Sequence, residues 1–317
     1  MTKTAAPMTS GSIWKQMTFF AMPIFLGNLF QQLYNTVDSL IVGNFLGSSA
    51  LAAVSSSGSL IFMLIGFLSG ISAGAGVIVA RFFGAGDEKN LQRAVHTTVA
   101  FGLVAGVLMT GVGVALSPQI LRWMDTPESV MRESVTYLQI YFAGSLGFVM
   151  YNVLVGILQA VGDSRHPLYY LIVSSVINLV LDLLFITGFH TGVGGAAVAT
   201  VISQIVSALL CFWQLLRTKE SYGLKIRKIR FDKGILVQII KIGLPSGVQN
   251  SIIAFANVIV QSNINAFGEM AMAGYGAYTK VEGFGFLPIN SFTMALTTFV
   301  GQNLGAKQEE RTRKGAR

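Results

Sequence analysis

Residues 61–80 read IFMLIGFLSGISAGAGVIVA, twenty consecutive apolar or small residues without a charge. A helix of that length spans about 30 Å, the thickness of a bilayer's hydrocarbon core. A barrel strand would alternate apolar and polar residues over about ten positions, and this stretch does not alternate. It belongs to one of eight such segments, near 16–46, 50–80, 92–117, 133–158, 168–188, 193–216, 235–267 and 271–303. The whole chain, 317 residues, is 52% hydrophobic and 11% charged with a mean hydropathy of +0.62. Soluble domains carry about 25% charged residues, so the composition specifies an all-α integral membrane protein.

The net charge of +8 comes from Lys and Arg in particular loops. With the N-terminus placed inside, inner segments hold nineteen of the 22 cations, and outer loops hold only Arg122 and Arg132. This asymmetry, rather than nucleic-acid binding, accounts for the charge, and it predicts eight spans of the cell (plasma or inner) membrane with both termini cytoplasmic. The first apolar segment exceeds the roughly 7–15 residues of a signal-peptide core, so no cleaved leader is expected. Cys211 is the single cysteine, which excludes an intrachain disulfide and leaves it a packing role.

Polar residues inside the apolar segments carry the functional signal. A carboxylate at the centre of a membrane helix costs about 2.5–3.5 kcal/mol on insertion scales, and one that is present is a candidate ion or proton site. Asp38 is one. Asp182 is another, one helical turn after Asn178 in SSVINLVLDLLF, residues 174–185. Asn28, Gln31, Gln32, Asn35 and Asp38 fall on one face of the first segment, with Tyr34 at its border, and Asn250, Asn257, Gln261 and Asn265 repeat that face in the seventh. Two matched stripes predict a wet central cavity. The sixth segment adds Thr200, Ser203, Gln204 and Ser207. Burial beside a second carboxylate favours a bound proton, while carboxylate, amide and hydroxyl oxygens equally suit Na⁺, and the residues alone leave that choice open.

The end of the chain repeats its beginning at an offset of 221 to 222 residues: Pro23 matches Pro245, Asn28 Asn250, Asn35 Asn257, Gly47 Gly268 and Gly84 Gly305. The offset covers six helices, an even number, so both copies share one orientation in the membrane. The basic stretch RTKESYGLKIRKIRFDKG, residues 217–234, separates them. The expected organisation is a six-helix N-terminal lobe over 1–216, a cytoplasmic linker over 217–234, read as a solvated loop in preference to an interfacial strand or membrane-surface segment, and an incomplete second lobe over 235–317 with two helices. The expectation is a carrier cut short after its eighth helix; a genuine eight-helix protein would need a partner subunit, such as a second copy.

MPIFLGNLFQQLYNTVDSLIVGNFLG, LQAVGDSRHPLYY, INLVLDLLF followed by GVGGAAVATVISQ, GLPSGVQN and FVGQNLGAKQEER, in this order, resemble the multidrug and toxic compound extrusion (MATE) transporters. The likeness runs along the whole chain. It implies two parallel six-helix lobes and secondary active export of cationic amphipathic molecules in exchange for H⁺ or Na⁺, with no cofactor. By motif, Asp38, Asn178, Asp182 and Thr200 look like the family's N-lobe cation site, Gln31 and Tyr34 resemble cavity residues beside it, and Glu282 corresponds to a C-lobe site. Asn35, Asn257 and Gln261 of the polar stripes complete the expected cavity. Membrane lipids and small amphipathic cations are the expected partners, and nucleic acid is not.

Other motifs carry less. GVGGAA, residues 192–197, imitates a dinucleotide fingerprint but opens a membrane helix with no preceding strand. Gly66, Gly70 and Gly74 make a doubled GxxxG, a site of close helix packing or of dimerisation. The three histidines lack metal-ligand spacing, and no Ser, His and acid constellation suggests an enzyme. The remaining readings are a lipid-linked precursor flippase, which would need cations in its cavity, an ion channel, or a non-transporting scaffold.

Overall fold

The computed structural model describes residues 7–124, 126–265 and 269–317, and within these it leaves out the side chains of 48–49, 51–53, 55–65, 258, 261–262, 265, 269–273, 276–277 and 279–280. Ten α-helices follow in order: α1 (Ile13–Leu46), α2 (Ser48–Gly84), α3 (Glu88–Trp123), α4 (Glu128–Ala143), α5 (Ser145–Ala160), α6 (Arg165–Leu183), α7 (Val193–Arg217), α8 (Lys233–Asn265), α9 (Glu269–Gly305) and α10 (Glu309–Ala316). No strand occurs among the described residues.

Among the described residues six helical stretches are long and apolar enough to cross a membrane, and the bent pair α4 and α5 makes a seventh. The expected first span, α1, is 34 residues long but does not meet that test, because its amides and Asp38 dilute the apolar content. The fourth expected segment is two helices meeting at 49°. The break falls at Gly144–Ser145, where a side chain on Gly144 would run into Val201 of α7. The fifth segment ends in a π-helical turn, Leu184–Gly188, just beyond Asp182. Wide turns of this kind recur at functional positions.

Aspartates start three of the helices. Asp87 accepts from the Asn90 amide at 3.0 Å, Asp163 from that of His166 at 3.2 Å and Asp232 from that of Ile235 at 3.1 Å, at the starts of α3, α6 and α8. Each carboxylate satisfies a backbone N–H that the helix leaves open and lies against the positive end of its dipole.

The main core joins α2, α3, α5 and α7 through Ile78, Val79, Leu91, Val95, Leu154, Ile157, Cys211 and Leu215. Tyr222 and Leu224 of the linker are buried in this same core. The linker is therefore docked rather than wholly solvated, against expectation: Gln92 donates to the Gly223 carbonyl at 3.0 Å, and the Lys225 N–H donates to His96 Nε2 at 3.0 Å.

The repeated helices cross over. The doubled GxxxG of α2 packs against this chain's own α8, where a Cβ on Gly70 would collide with Gly247 and one on Gly74 with Gly243. Likewise α1 packs on α9 through Ala21, Ile24, Ala295 and Phe299. The matching asparagines do related things. Asn250 donates to the Gly66 carbonyl at 3.0 Å, while Asn28 donates to Ser291 Oγ at 3.3 Å, which in turn donates to the Leu287 carbonyl at 2.7 Å. In the repeat, Gly66 corresponds to Leu287, so one copy reaches the carbonyl directly and the other through a hydroxyl.

Candidate functional site

The two membrane aspartates come together where α1 and α6 pack. Asp182 is fully buried, and neither of its carboxylate oxygens has a hydrogen-bond partner of regular geometry. Asp38, half-buried on α1, lies directly beside it, close enough for the carboxylates to interact, with its Oδ1 also unpartnered. Asn178, one turn before Asp182, is buried with a free Nδ2. A fully satisfied structural aspartate would show no such unpaired oxygens, whereas a site for a proton or a small hard cation needs them.

Tyr34 extends this cluster. Its hydroxyl lies between the side chains of Gln31 and Gln204, within electrostatic reach of both aspartates. Tyr137 of α4 also faces Asp38, packed with Ile41, Val42, Ala196 and Ala197, which seal the apolar side of the site. Thr200 sits on α7 half-buried, and its hydroxyl donates to the Ala196 carbonyl of its own helix at 3.0 Å.

A cavity of about 380 Å³ opens between α1, α2, α5, α6 and α9. Gln31 lines it, with Asn28, Ser69, Ser72, Tyr151, Asn152, Gln159 and Thr298, and no charged residue is among the described lining groups. Gln31 thus joins the cavity to the carboxylates through Tyr34.

The remaining sequence candidates lie elsewhere. Asn35 and Asn257 are exposed and outside the cavity lining, and the side chain of Gln261 lies outside the described residues. The matched stripe of α8 therefore does not meet that of α1 across this cavity, because α8 instead packs its small residues on α2. Glu282 is half-buried on α9 and accepts from the Tyr278 hydroxyl at 2.8 Å, and it is not among the residues lining the cavity. Sequence reasoning had noticed Gln204 and Asn28 only as polar-face residues, and it missed Tyr137 and Tyr151, whose aromatic character in an apolar segment gives no signal of what they face.

The MatE family model matches this chain twice, over residues 23–184 and again over 245–317. The chain belongs to that family. The two matches begin at Pro23 and Pro245, the repeat read from the sequence. The chain is 33% identical over 310 residues to the probable multidrug resistance protein YoeA of Bacillus subtilis (strain 168), covering 96% of this chain and 67% of the relative. Among solved structures, a MATE in the bent conformation superposes with a TM-score of 0.91 and one in the straight conformation with 0.90, each 26% identical and covering 99% of this chain. These cover 70% and 71% of the solved chains. This MatE chain thus spans about two thirds of the length of its curated relatives, and its family is that of the MATE multidrug efflux transporters.

Proposed function

We propose that this protein is a secondary active exporter of cationic amphipathic molecules, driven by inward movement of H⁺ or Na⁺ through alternating access. The observation that carries the reading is the pair Asp38 and Asp182, with three carboxylate oxygens unpartnered inside the membrane region. Groups in that condition gain from a proton or a cation, and the gain is large because the surroundings are poor in water.

Asp38, Asn178 and Asp182 hold the coupling ion, and Thr200 stands on the neighbouring helix to complete the set. Gln31 and Tyr34 carry its effect to the cavity, where the substrate sits against amides, hydroxyls and the Tyr151 ring. Asn35, Asn257, Gln261 and Glu282 serve a wider pathway that includes the second copy. Pro23 and Gly27 lie in α1 on the cavity wall, and a bend there moves Asp38 relative to Asp182. The relatives solved in bent and straight forms support such a motion. Both termini and the basic linker face the cytoplasm.

The test is competition. Binding of tetraphenylphosphonium to the purified protein is measured against Na⁺ at fixed pH and against pH without Na⁺. One of the two ions is expected to displace the probe in the native protein and to lose that effect in Asp182→Asn. Displacement that is unchanged in Asp182→Asn and Asp38→Asn overturns the assignment.

A further inference from the structure

Between α7 and α8 the linker presents a fixed row of cations. Lys225, Arg227, Lys228, Arg230 and Lys233 are all exposed, and none forms an ion pair among the described residues. The acid within that row, Asp232, is engaged with Arg93 at 3.8 Å. The apolar residues of the segment divide by position: Tyr222 and Leu224 are buried in the core, while Ile226 and Phe231 are 61% and 45% exposed among the cations.

The row is held in place by its backbone. Leu224 N–H donates to the Leu215 carbonyl at 2.8 Å, Lys225 N–H to His96 Nε2 at 3.0 Å, and Asp232 N–H to Thr97 Oγ1 at 3.1 Å. A solvated loop has no need of such anchoring. Here the anchors pin one side of the segment to α3 and to the end of α7 and leave its cations and two apolar side chains exposed.

The location fixes the partner. The segment joins the end of one membrane helix to the start of the next, so it lies where the chain leaves the bilayer. Trp213, one turn from the end of α7, is 48% exposed and carries the Arg217 guanidinium 4.6 Å above its ring, an arrangement suited to the headgroup level. Cations at that depth, interleaved with apolar side chains that dip into the acyl boundary, complement a surface of negative charge.

We infer that the linker row Lys225, Arg227, Lys228, Arg230 and Lys233 is a docking surface for anionic phospholipid headgroups of the adjoining leaflet. The lipid bridges the linker and the membrane edge of α7 and α8. Each cation near an anionic membrane contributes on the order of a five-fold preference, so even partial engagement is measurable.

Trp213 reports on the site. With Trp14→Phe and Trp123→Phe as background, it is the only tryptophan. The protein is reconstituted in phosphatidylcholine containing brominated phosphatidylglycerol, and separately in mixtures with brominated phosphatidylcholine; quenching then gives the relative association of the two lipids. The native linker is expected to favour phosphatidylglycerol roughly five-fold or more, and the triple variant Arg227→Gln, Lys228→Gln, Arg230→Gln to bring the ratio close to one. Arg227→Lys with Arg230→Lys keeps the charge and the preference. The thermal midpoint in phosphatidylcholine alone is expected to be the same for all, since these side chains have no protein partner. An unchanged ratio in the glutamine variant, or a ratio near one in the native protein, overturns the inference.

Discussion

Gly84 and Gly305 hold matching places in the two copies, and each presses its bare Cα against the other copy's helix. A side chain on Gly84 would strike the Gln302 carbonyl, and one on Gly305 the Arg81 carbonyl. Arg81 and Gln302 are themselves a repeat pair at the same 221-residue offset. The contact between α2 and α9 is therefore two-fold symmetric at its narrowest point, and both halves of it depend on a missing methyl group.

Gly84→Ala and Gly305→Ala are each expected to destabilise the protein by about 1–3 kcal/mol, because the obstacle is backbone and cannot swing aside. The double variant is expected to cost less than the sum, since one separation of α2 from α9 relieves both clashes. Gly111→Ala on α3 is the control: its Cβ meets nothing within 4 Å, and helix propensity alone predicts a gain of about 0.5–1 kcal/mol. Thermal midpoints in a single detergent decide the matter, and equal midpoints for Gly84→Ala and Gly111→Ala would refute the crossing.

Asp182→Asn separates stability from function. The substitution keeps the shape of a fully buried group and removes a carboxyl whose oxygens have no hydrogen-bond partner of regular geometry, so the thermal midpoint is expected to hold or rise. Ion-driven export of an organic cation from proteoliposomes should fall by at least about a hundred-fold, the share ordinarily carried by a group that both binds and releases a proton or ion. Asp38→Asn is expected to match it. A variant that is both unstable and inactive would mean that the carboxylate is structural.

Much of this was legible because membrane helices advertise themselves. The runs of twenty apolar residues and the Asn28/Asn250 and Gly84/Gly305 matches need no tertiary information. Asp38, Asn178 and Asp182 stood out because polar groups are rare in such segments, and rarity is a sequence property. The bend at Gly144 was not legible, since its cause is Val201 on α7, far along the chain. Nor was the burial of Tyr222 and Leu224, because the surrounding Lys and Arg dominate the local composition while the anchors, Gln92, His96 and Thr97, lie some 130 residues earlier. The α8 stripe is a related case: periodicity reveals that a face is polar but not which neighbour it meets.

Arg311 fastens the N-terminal segment to α10. Its guanidinium donates to the carbonyls of Met8 at 3.2 Å and Gly11 at 2.7 Å and to Gln16 Oε1 at 2.9 Å, and it stacks over the Phe299 ring at 5.5 Å. Lysine cannot reproduce that fork of donors. Arg311→Lys and Arg311→Ala are both expected to speed amide exchange at Met8 and Gln16 roughly ten- to a hundred-fold, the range for losing bonds of about 1.5–3 kcal/mol to a charged group. Protection retained in Arg311→Ala would show that Gln302 and Asn303, which also bind Met8, suffice alone.

Asp87 gives a pH dependence whose sign and salt response both follow from its contacts. The Asn90 backbone N–H, then the Asn90 side-chain amide at 2.7 Å, hold its carboxyl below the usual aspartate range, with Lys89 and Arg93 adding least. A group depressed in the folded state stabilises it above the unfolded value, near 3.9, and loses that contribution as pH falls through the lower folded value. The denaturation midpoint of the native protein should therefore drop more steeply below about pH 4 than that of Asp87→Asn, whose amide oxygen still caps α3 but does not titrate in this range. Because hydrogen bonds rather than distant charges dominate, the difference is expected to persist at about 1 M salt, where surface attraction is screened within about 3 Å. A difference that disappears in salt would instead assign the effect to Lys89 and Arg93.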